Sequence, residues 1–153
     1  MVFNRIKGWN NWKIWSKDKM SEFVNIIEGV RIKKVPVAGH DRGNFVQVLR
    51  KDDNLLKEFG QAGLSWTYDG VIKAFHLDDI QDCLWFTVKV NVQAVLYDMR
   101  KNSKTYKKTQ VIYMGEMYEP VLLVIPPGVA HGYRVLGSEP ALMLYFSTIV
   151  HNP

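Results

Sequence analysis

Short runs of β-branched and aromatic residues recur along the chain from residue 30 onward, and Gly, Pro, Asn and Asp separate them. Short strands at regular spacing, divided by turn-forming residues, are typical of an all-β sandwich or barrel. The runs that this pattern predicts as strands are residues 30–35, 45–50, 71–76, 84–89, 92–98, 109–114, 121–125, 132–136 and 142–146. We therefore expect an all-β domain whose apolar core lies between antiparallel strands.

One segment has the pattern of a helix instead. Residues 52–59 begin with acidic and amide residues suited to capping, continue with Leu55 and Leu56, and stop before Gly60. Residues of these types favour the two ends of a helix. The sequence therefore predicts one short helix over residues 52–59.

The first twenty residues differ in composition from the rest of the chain. Trp9, Trp12 and Trp15 follow one another at three-residue spacing, which places the indoles on one face of a helix. Such a face packs onto the domain or a second subunit, or it serves as a partner-binding or membrane-surface helix. We expect an N-terminal extension at residues 1–20 and a single domain at residues 21–153.

Length, hydrophobic content and cysteine count indicate which class of protein this is. A chain of 153 residues with 47% hydrophobic residues buries a sizeable core in one domain. Its apolar runs are far shorter than the roughly 20 residues of a membrane-spanning helix, and its N-terminus lacks the pattern of a secretory signal. The single cysteine, Cys83, excludes an internal disulfide and a cysteine-based zinc cage, which agrees with a reducing compartment. We expect a cytoplasmic protein without a membrane segment.

The net charge of +5 favours anionic ligands. The densest positive run, formed by Lys101, Lys104, Lys107 and Lys108, lies in a predicted hairpin loop without interleaved aromatic residues or a helix-turn-helix pattern. A solvated loop is therefore a simpler interpretation of this run than a nucleic-acid site. A phosphorylated small molecule fits the same positive charge with fewer contacts.

Two histidines stand out because each ends or follows a predicted strand. His76 closes the run at residues 71–76, and His131 follows the turn of Pro126, Pro127 and Gly128. Imidazole titrates near pH 6.5, so a histidine at the mouth of a barrel is a candidate general base. The alternative is a rim residue whose hydrogen bonds are satisfied within the fold.

Six blocks of the chain, in order and with fitting gaps, resemble the family of dTDP-4-dehydrorhamnose 3,5-epimerases. The blocks are residues 42–45 (Arg-Gly-Asn-Phe), Gln61 with Ser65, and residues 70–76 (Gly-Val-Ile-Lys-Ala-Phe-His), 98–103 (Asp-Met-Arg-Lys-Asn-Ser), 125–132 (Ile-Pro-Pro-Gly-Val-Ala-His-Gly) and 145–153 (Tyr-Phe-Ser-Thr-Ile-Val-His-Asn-Pro). The resemblance implies a cupin fold, which is a double-stranded β-helix or jelly roll. It also implies a homodimer that needs no metal or other cofactor.

The reaction that the resemblance implies is epimerisation of a dTDP-linked 4-keto sugar. The ketone acidifies the hydrogens on its neighbouring carbons, so catalysis needs a base on one face, an acid on the other, and a stabiliser for the enolate oxygen. By position, His76 would be the base and Tyr145 the acid. A phenol suits the second role because it holds its proton at pH 7 and can release it to a carbanion.

The resemblance also implies a set of substrate-binding residues. A planar bidentate guanidinium at Arg42 would bind the diphosphate, and Phe45 would cover the nucleotide base, both from the partner subunit. Gln61 would hydrogen-bond the nucleotide or sugar, and His131 would line the sugar pocket. The implied binding set is Arg42, Phe45, Gln61, Lys73, Arg100 and His131.

The chain departs from the family pattern at four positions. The arginine expected three residues before the base is Lys73, the glycine expected next to it is Ala74, and the lysine expected to polarise the keto oxygen falls at or near Cys83. The aspartate that orients the catalytic histidine comes from a C-terminal block beyond Pro153. Lys73 or Lys89 is a candidate replacement for the lysine, and Asp78, Asp79 or Asp82 for the aspartate.

Two other functions remain open at this point. A metal-dependent cupin would use His76, Asp78 and His131, although the usual His-x-His pair is absent from the sequence. A sugar-nucleotide or glycan binding module would keep the pocket without the chemistry.

Overall fold

Alternation of buried and open residues along the strands determines how the chain packs. In β7 (Asn91–Asp98), every second side chain is buried, and β8 (Thr109–Gly115) repeats the pattern. The computed structural model describes residues 27–150. Its other strands are β1 (Arg31–Lys34), β2 (Val37–His40), β3 (Gly43–Val46), β4 (Gln61–Thr67), β5 (Ile72–His76), β6 (Cys83–Lys89), β9 (Val121–Ile125), β10 (Val129–Leu136) and β11 (Ala141–Ser147).

Two antiparallel sheets face each other across the main core. The five-stranded sheet has the order β1-β9-β6-β11-β4, and the four-stranded sheet has the order β5-β10-β7-β8. The buried cluster between them includes Leu96 and Ile112 from one sheet and Leu123 and Met143 from the other. Apolar side chains from both inner faces interdigitate in such a sandwich. The arrangement confirms the predicted all-β jelly roll of the cupin type.

A second apolar cluster lies on the outer side of the five-stranded sheet. Leu84, Leu122 and Val124 form its buried centre, and Val48 and Leu49 pack against it. The predicted strand at residues 45–50 is therefore only partly right, because strand pairing ends at Val46. The apolar residues that follow are covered by side-chain packing instead of by a strand partner.

The helix predicted over residues 52–59 is wrong. The structure has one 3-10 turn at Lys51–Asp53, followed by Asn54 with a positive φ of 53°. The acidic residues there form ion pairs and hydrogen bonds within the protein: Asp52 pairs with the Arg50 side chain, and Asp53 accepts from the Lys33 side chain and from the Arg50 backbone N–H. The residues that were expected to cap a helix therefore close a turn instead. The two leucines that follow, Leu55 and Leu56, pack against the second cluster.

The sequence pattern did not predict two of the strands, β2 and β4. Among the described strands, β2 pairs only with β3, as a separate hairpin, and β4 forms an edge of the five-stranded sheet. The inner face of β4 carries Gln61, Gly63 and Ser65, which are polar or small residues and not the apolar ones that mark a buried strand. The Trp-rich extension lies outside the described residues. No helix within residues 27–150 is long and apolar enough to cross a bilayer.

Candidate active site

The two candidate histidines lie opposite each other on neighbouring strands. β5 pairs with β10 so that the Cα of His76 is beside that of His131, and the ring centroids are 6.3 Å apart. Gly132 allows this close approach, because a Cβ there would lie 2.4 Å from the Cβ of Ala74. His76 is exposed and His131 is buried. His76 is therefore the more accessible of the two to a ligand.

Burial and one backbone carbonyl set the protonation of His131. Its Nδ1 lies 2.9 Å from the carbonyl oxygen of Val129, and since a carbonyl only accepts, Nδ1 carries the proton. The ring packs edge-on against Trp85, with centroids 5.1 Å apart. Burial lowers the pKa of His131, although the Val129 carbonyl and the Asp78 carboxylate oppose the change. The ring is therefore mainly neutral at pH 7.

Tyr145 lies on β11, in the sheet opposite the histidines. Its strand neighbours are Trp85 on β6 and Gly63 on β4. The phenol ring is half-buried and packs against the main core, to which Trp85 belongs. Trp85 in turn touches His131. A path of neighbours therefore runs from Tyr145 in one sheet, through Trp85 and His131, to His76 in the other.

We expect Gly63→Ala to lower the rate of any reaction that needs the Tyr145 hydroxyl by about 100-fold, because misplacing a reacting group by about 1 Å has that effect. A Cβ at residue 63 would lie 2.7 Å from Cζ and 2.8 Å from the hydroxyl of Tyr145. Steady-state kinetics measure the loss. In a Tyr145→Phe background the same alanine should change the rate little; an additive loss would mean that Gly63 acts elsewhere.

Lys73 faces the space between the sheets from β5. Its Nζ donates to Ser65 Oγ at 2.7 Å, and Ser65 Oγ lies 3.5 Å from Thr67 Oγ1. The Thr67 hydroxyl is 2.7 Å from that of Tyr133. These contacts join β4 to β5 and β10. They also hold a positive charge on the inner side of the edge strands, whereas Lys89 pairs with Glu139 on the surface.

Arg42 and Phe45 lie together on the β2–β3 hairpin. Both are exposed, and Phe45 keeps 63% of its surface open to solvent. The Arg42 backbone N–H donates to Nδ1 of His40. Gln61 begins β4 on the face that also carries Gly63. The hairpin pairs with no other described strand, so no strand pairing connects it to the two histidines.

The Asp78 carboxylate engages three side chains, and His76 is not among them. Gln81 Nε2 donates to Oδ1 at 2.6 Å, and the Cys83 thiol donates to Oδ2 at 3.0 Å. His131 Nε2 lies 3.5 Å from the same Oδ2. Of the three aspartates considered as orienting partners for His76, Asp78 therefore contacts the other histidine.

Cys83 occupies the position where the resemblance places a charged lysine. Burial, then the hydrogen bond and charge of Asp78, raise the pKa of the Cys83 thiol far above its usual value. The thiol is therefore uncharged at neutral pH. It supplies no positive charge to polarise a keto oxygen.

Arg100 forms part of a buried ion-pair network. Its guanidinium donates to both carboxylate oxygens of Asp98 at 2.8 Å and to the Glu28 carbonyl at 2.6 Å. The Asp98 side chain is fully buried and also accepts from the hydroxyls of Ser103 and Thr105. These contacts tie the loop after β7 to the segment before β1. Substrate binding by Arg100 stays a prediction, with this structural role beside it.

Asp98→Asn should lower the free energy of unfolding by about 3 kcal/mol, because removing one partner of a buried ion pair leaves the other uncompensated. The contacts of Asp98, first the hydrogen bond from Arg100, lower the pKa of its carboxyl. The stabilisation is therefore present above the unfolded pKa of about 3.9 and is lost as the pH falls through the folded one. Urea unfolding at pH 7 and at acid pH measures both effects.

A matched control is Asp52→Asn, which removes an exposed carboxylate paired with Arg50. Exposed ion pairs contribute little, so its unfolding midpoint should stay near that of the wild type. Equal effects of the two substitutions would contradict the structural role of Asp98.

Sequence reasoning grouped Asp78 and His131 with His76 as the ligands of a metal-dependent cupin, and it missed that Cys83 joins Asp78 and His131. Asp78 follows His76 by two residues, and Cys83 opens the next strand. His131 joins them only because β10 pairs with β5 in the observed register. A register between strands so distant in sequence has no local signal.

Comparison with known proteins agrees with the observed fold. The family model for dTDP-4-dehydrorhamnose 3,5-epimerase matches residues 25–153. The spore coat polysaccharide biosynthesis protein SpsL of Bacillus subtilis is 53% identical over 128 residues, which cover 84% of each protein. The probable low-salt glycan biosynthesis epimerase Agl13 of Haloferax volcanii is 28% identical over 128 residues, covering 82% of this chain and 81% of Agl13.

A solved structure resembles the fold over most of its length. The dTDP sugar isomerase from Desulfovibrio desulfuricans has a TM-score of 0.80 and 26% identity, covering 83% of this chain and 81% of that one. The family model spans the two sheets, both candidate histidines and Tyr145. The chain therefore belongs to the dTDP-4-dehydrorhamnose 3,5-epimerase family.

Proposed function

We propose that this protein is a sugar-nucleotide epimerase of deoxysugar or polysaccharide biosynthesis. It acts on a nucleotide-linked 4-keto-6-deoxyhexose by removing a proton beside the ketone and returning one to the opposite face. Family membership and the polysaccharide-related relatives support this function over a binding module without chemistry. The observation that carries it is the path of neighbours that links His76 in one sheet to Tyr145 in the other.

His76 is the proposed base and Tyr145 the proposed acid. His76 is exposed, as a group that must reach a substrate carbon requires. Tyr145 is half-buried on the facing sheet, so a sugar ring held between the sheets would present one face to each. Lys73 and His131, on the paired strands β5 and β10, are both proposed to bind the sugar. An imidazole and a phenol on opposite faces support inversion of a carbon through an enolate.

The proposed ligand is dTDP-linked, and the protein is proposed to bind it as a homodimer. Arg42 and Phe45 lie on an exposed hairpin, which favours their contribution to the site of a second subunit. The edge strands β4 and β5 expose large apolar side chains, including Trp66 (65% exposed) and Ile72 (65% exposed). Large exposed apolar side chains on sheet edges favour a protein contact there. A cytoplasmic location remains a prediction of the sequence.

Solvent exchange tests the reaction. The protein is incubated with a dTDP-linked 4-keto-6-deoxyhexose in deuterated water, and deuterium at the two carbons beside the ketone is followed by NMR. Epimerisation predicts deuterium at each carbon that is inverted. Tight binding without exchange at either carbon would select the binding module and reject the proposed function.

Complementation tests the shared site. Arg42→Ala and His76→Asn should each be inactive as pure dimers. Mixing and reassociating them should restore about a quarter of wild-type activity, because half of the dimers are mixed and one of their two sites is intact. Trp66→Lys should weaken the dimer in light scattering, whereas Met117→Lys, which is 84% exposed outside this surface, should not. Failure of mixing to restore activity would contradict the shared site.

A further inference from the structure

Asp78, Cys83 and His131 bring a carboxylate, a thiol and an imidazole together beside the candidate base. One ligand atom from each lies within 4.8 Å of the others. His76, the neighbour of His131, is 6.3 Å away between ring centroids. We propose that these three side chains bind a divalent transition-metal cation, with zinc as the best match. This inference departs from the metal-free reaction that the family resemblance implies.

The contacts of His131 leave a place for a cation. Its Nδ1–H donates to the Val129 carbonyl, so the other ring nitrogen, Nε2, is an acceptor. That Nε2 faces Oδ2 of Asp78 at 3.5 Å, and Oδ2 is also an acceptor. Two facing acceptors are stabilised by a positive charge between them.

The separations suit a metal with little movement. Zinc binds sulfur at about 2.3 Å and nitrogen or oxygen at about 2.0–2.2 Å, so tetrahedral ligand atoms lie roughly 3.3–3.7 Å apart. The Cys83 sulfur is 3.0 Å and the His131 Nε2 is 3.5 Å from Asp78 Oδ2. The nitrogen–sulfur separation is at most 4.8 Å. Side-chain shifts of about 1 Å therefore complete the geometry.

The donor set also fits zinc chemically. Sulfur, imidazole nitrogen and carboxylate oxygen are its usual ligands. On binding, the Cys83 thiol gives its proton to solvent and its sulfur forms the metal bond, with no change of oxidation state. The thiolate and the Asp78 carboxylate then balance the two positive charges of the metal. Gln81 donates to the other Asp78 oxygen at 2.6 Å and would orient the carboxylate, as second-sphere groups do.

A metal here would supply the positive charge that the chain lacks where the family resemblance places a lysine, at or near Cys83. Three protein ligands leave a fourth position open, which is the pattern of catalytic zinc sites. A keto oxygen in that position would be polarised, and the charge of the enolate would be stabilised as it forms. This role rests on the proposed function. The site itself rests only on the three ligands.

Cobalt binding tests the site independently of activity. Untagged protein is stripped with a chelator and titrated with Co²⁺ while its absorption is recorded. We expect one equivalent to produce visible bands of a tetrahedral ion and a near-ultraviolet thiolate-to-cobalt band. Because the chain has a single cysteine, that band identifies Cys83 as a ligand. Zinc added afterwards should displace the cobalt and abolish both signals.

Variants make the assignment specific. Cys83→Ser should lose the near-ultraviolet band, and Gln81→Ala should weaken metal binding by about 10–100-fold, the usual effect of removing a second-sphere partner. The control is His40→Gln, which alters an exposed histidine beside Asp41 and should leave the titration unchanged. Circular dichroism checks that each variant is folded.

The outcomes separate the site from the function. Absence of the thiolate band in folded wild-type protein, or visible bands that survive in Cys83→Ser, overturns the metal site. If the stripped protein still epimerises at the full rate, the enolate role is overturned even when cobalt binds. Metal binding without solvent exchange on the 4-keto sugar would instead leave the site standing and reject the proposed function.

Discussion

His76→Asn should reduce both epimerisation and solvent exchange by about 100- to 10,000-fold. A general base contributes a factor of this size, and asparagine keeps the polarity of the position while lacking a group that takes up a proton near pH 7. His76 is exposed and has no ion pair among residues 27–150, so its loss should not change the fold. Deuterium uptake and product formation are measured on the same sample by NMR, and the thermal midpoint is measured beside them.

The control for this variant is His40→Asn. The asparagine oxygen can accept the hydrogen bond that the Arg42 backbone N–H gives to His40, so the hairpin should keep its shape. We expect an unchanged kcat. If His76→Asn retained solvent exchange at the wild-type rate, His76 would not be the base, and its neighbour His131 would be the next residue to test.

Tyr145→Phe should separate the two halves of the reaction. His76 would still remove the proton, and it would return a deuteron to the same face, so the substrate gains deuterium without inversion. Epimer formation should fall by about 100- to 10,000-fold, the contribution of a positioned acid, while exchange falls much less. The phenylalanine ring fills the same space against Gly63 and the core, so the fold should be retained.

The matched control is Tyr113→Phe in the four-stranded sheet, which removes an exposed hydroxyl that accepts from Gln93 on the neighbouring strand β7. It should epimerise at the wild-type rate. Equal loss of exchange and inversion in folded Tyr145→Phe would mean that the phenol is needed for proton removal. Wild-type epimerisation in that variant would exclude Tyr145 as the acid.

Local sequence was sufficient to predict most of the strands. The strands from β5 to β11 follow runs of β-branched and aromatic residues, because such runs favour a pleated, buried surface. The predicted helix over residues 52–59 was wrong for a nonlocal reason. Lys33 and the Arg50 backbone bind Asp53, and both leucines of the segment pack against the second cluster.

The hydrophobic pattern of the sequence did not reveal edge strand β4. Its inner face needs room for Tyr145 and a hydroxyl for Lys73, so it carries Gly63 and Ser65 where an apolar strand would have bulky residues. Because small and polar residues occupy this face, the strand lacks the hydrophobic alternation by which strands are identified. Gly63 nevertheless lies between Gln61 and Ser65, which carried part of the family resemblance.

The sequence by itself determined the all-β class, the family, and the identity of His76 and Tyr145 as candidates, because these depend on residue types and on spacing along the chain. The tertiary structure decided which groups meet. Strand register set His131 beside His76, turned Asp78 toward Cys83 and His131, and tied Arg100 to Asp98. Pairing between distant strands depends on the packing of the whole core, so local sequence does not encode these contacts.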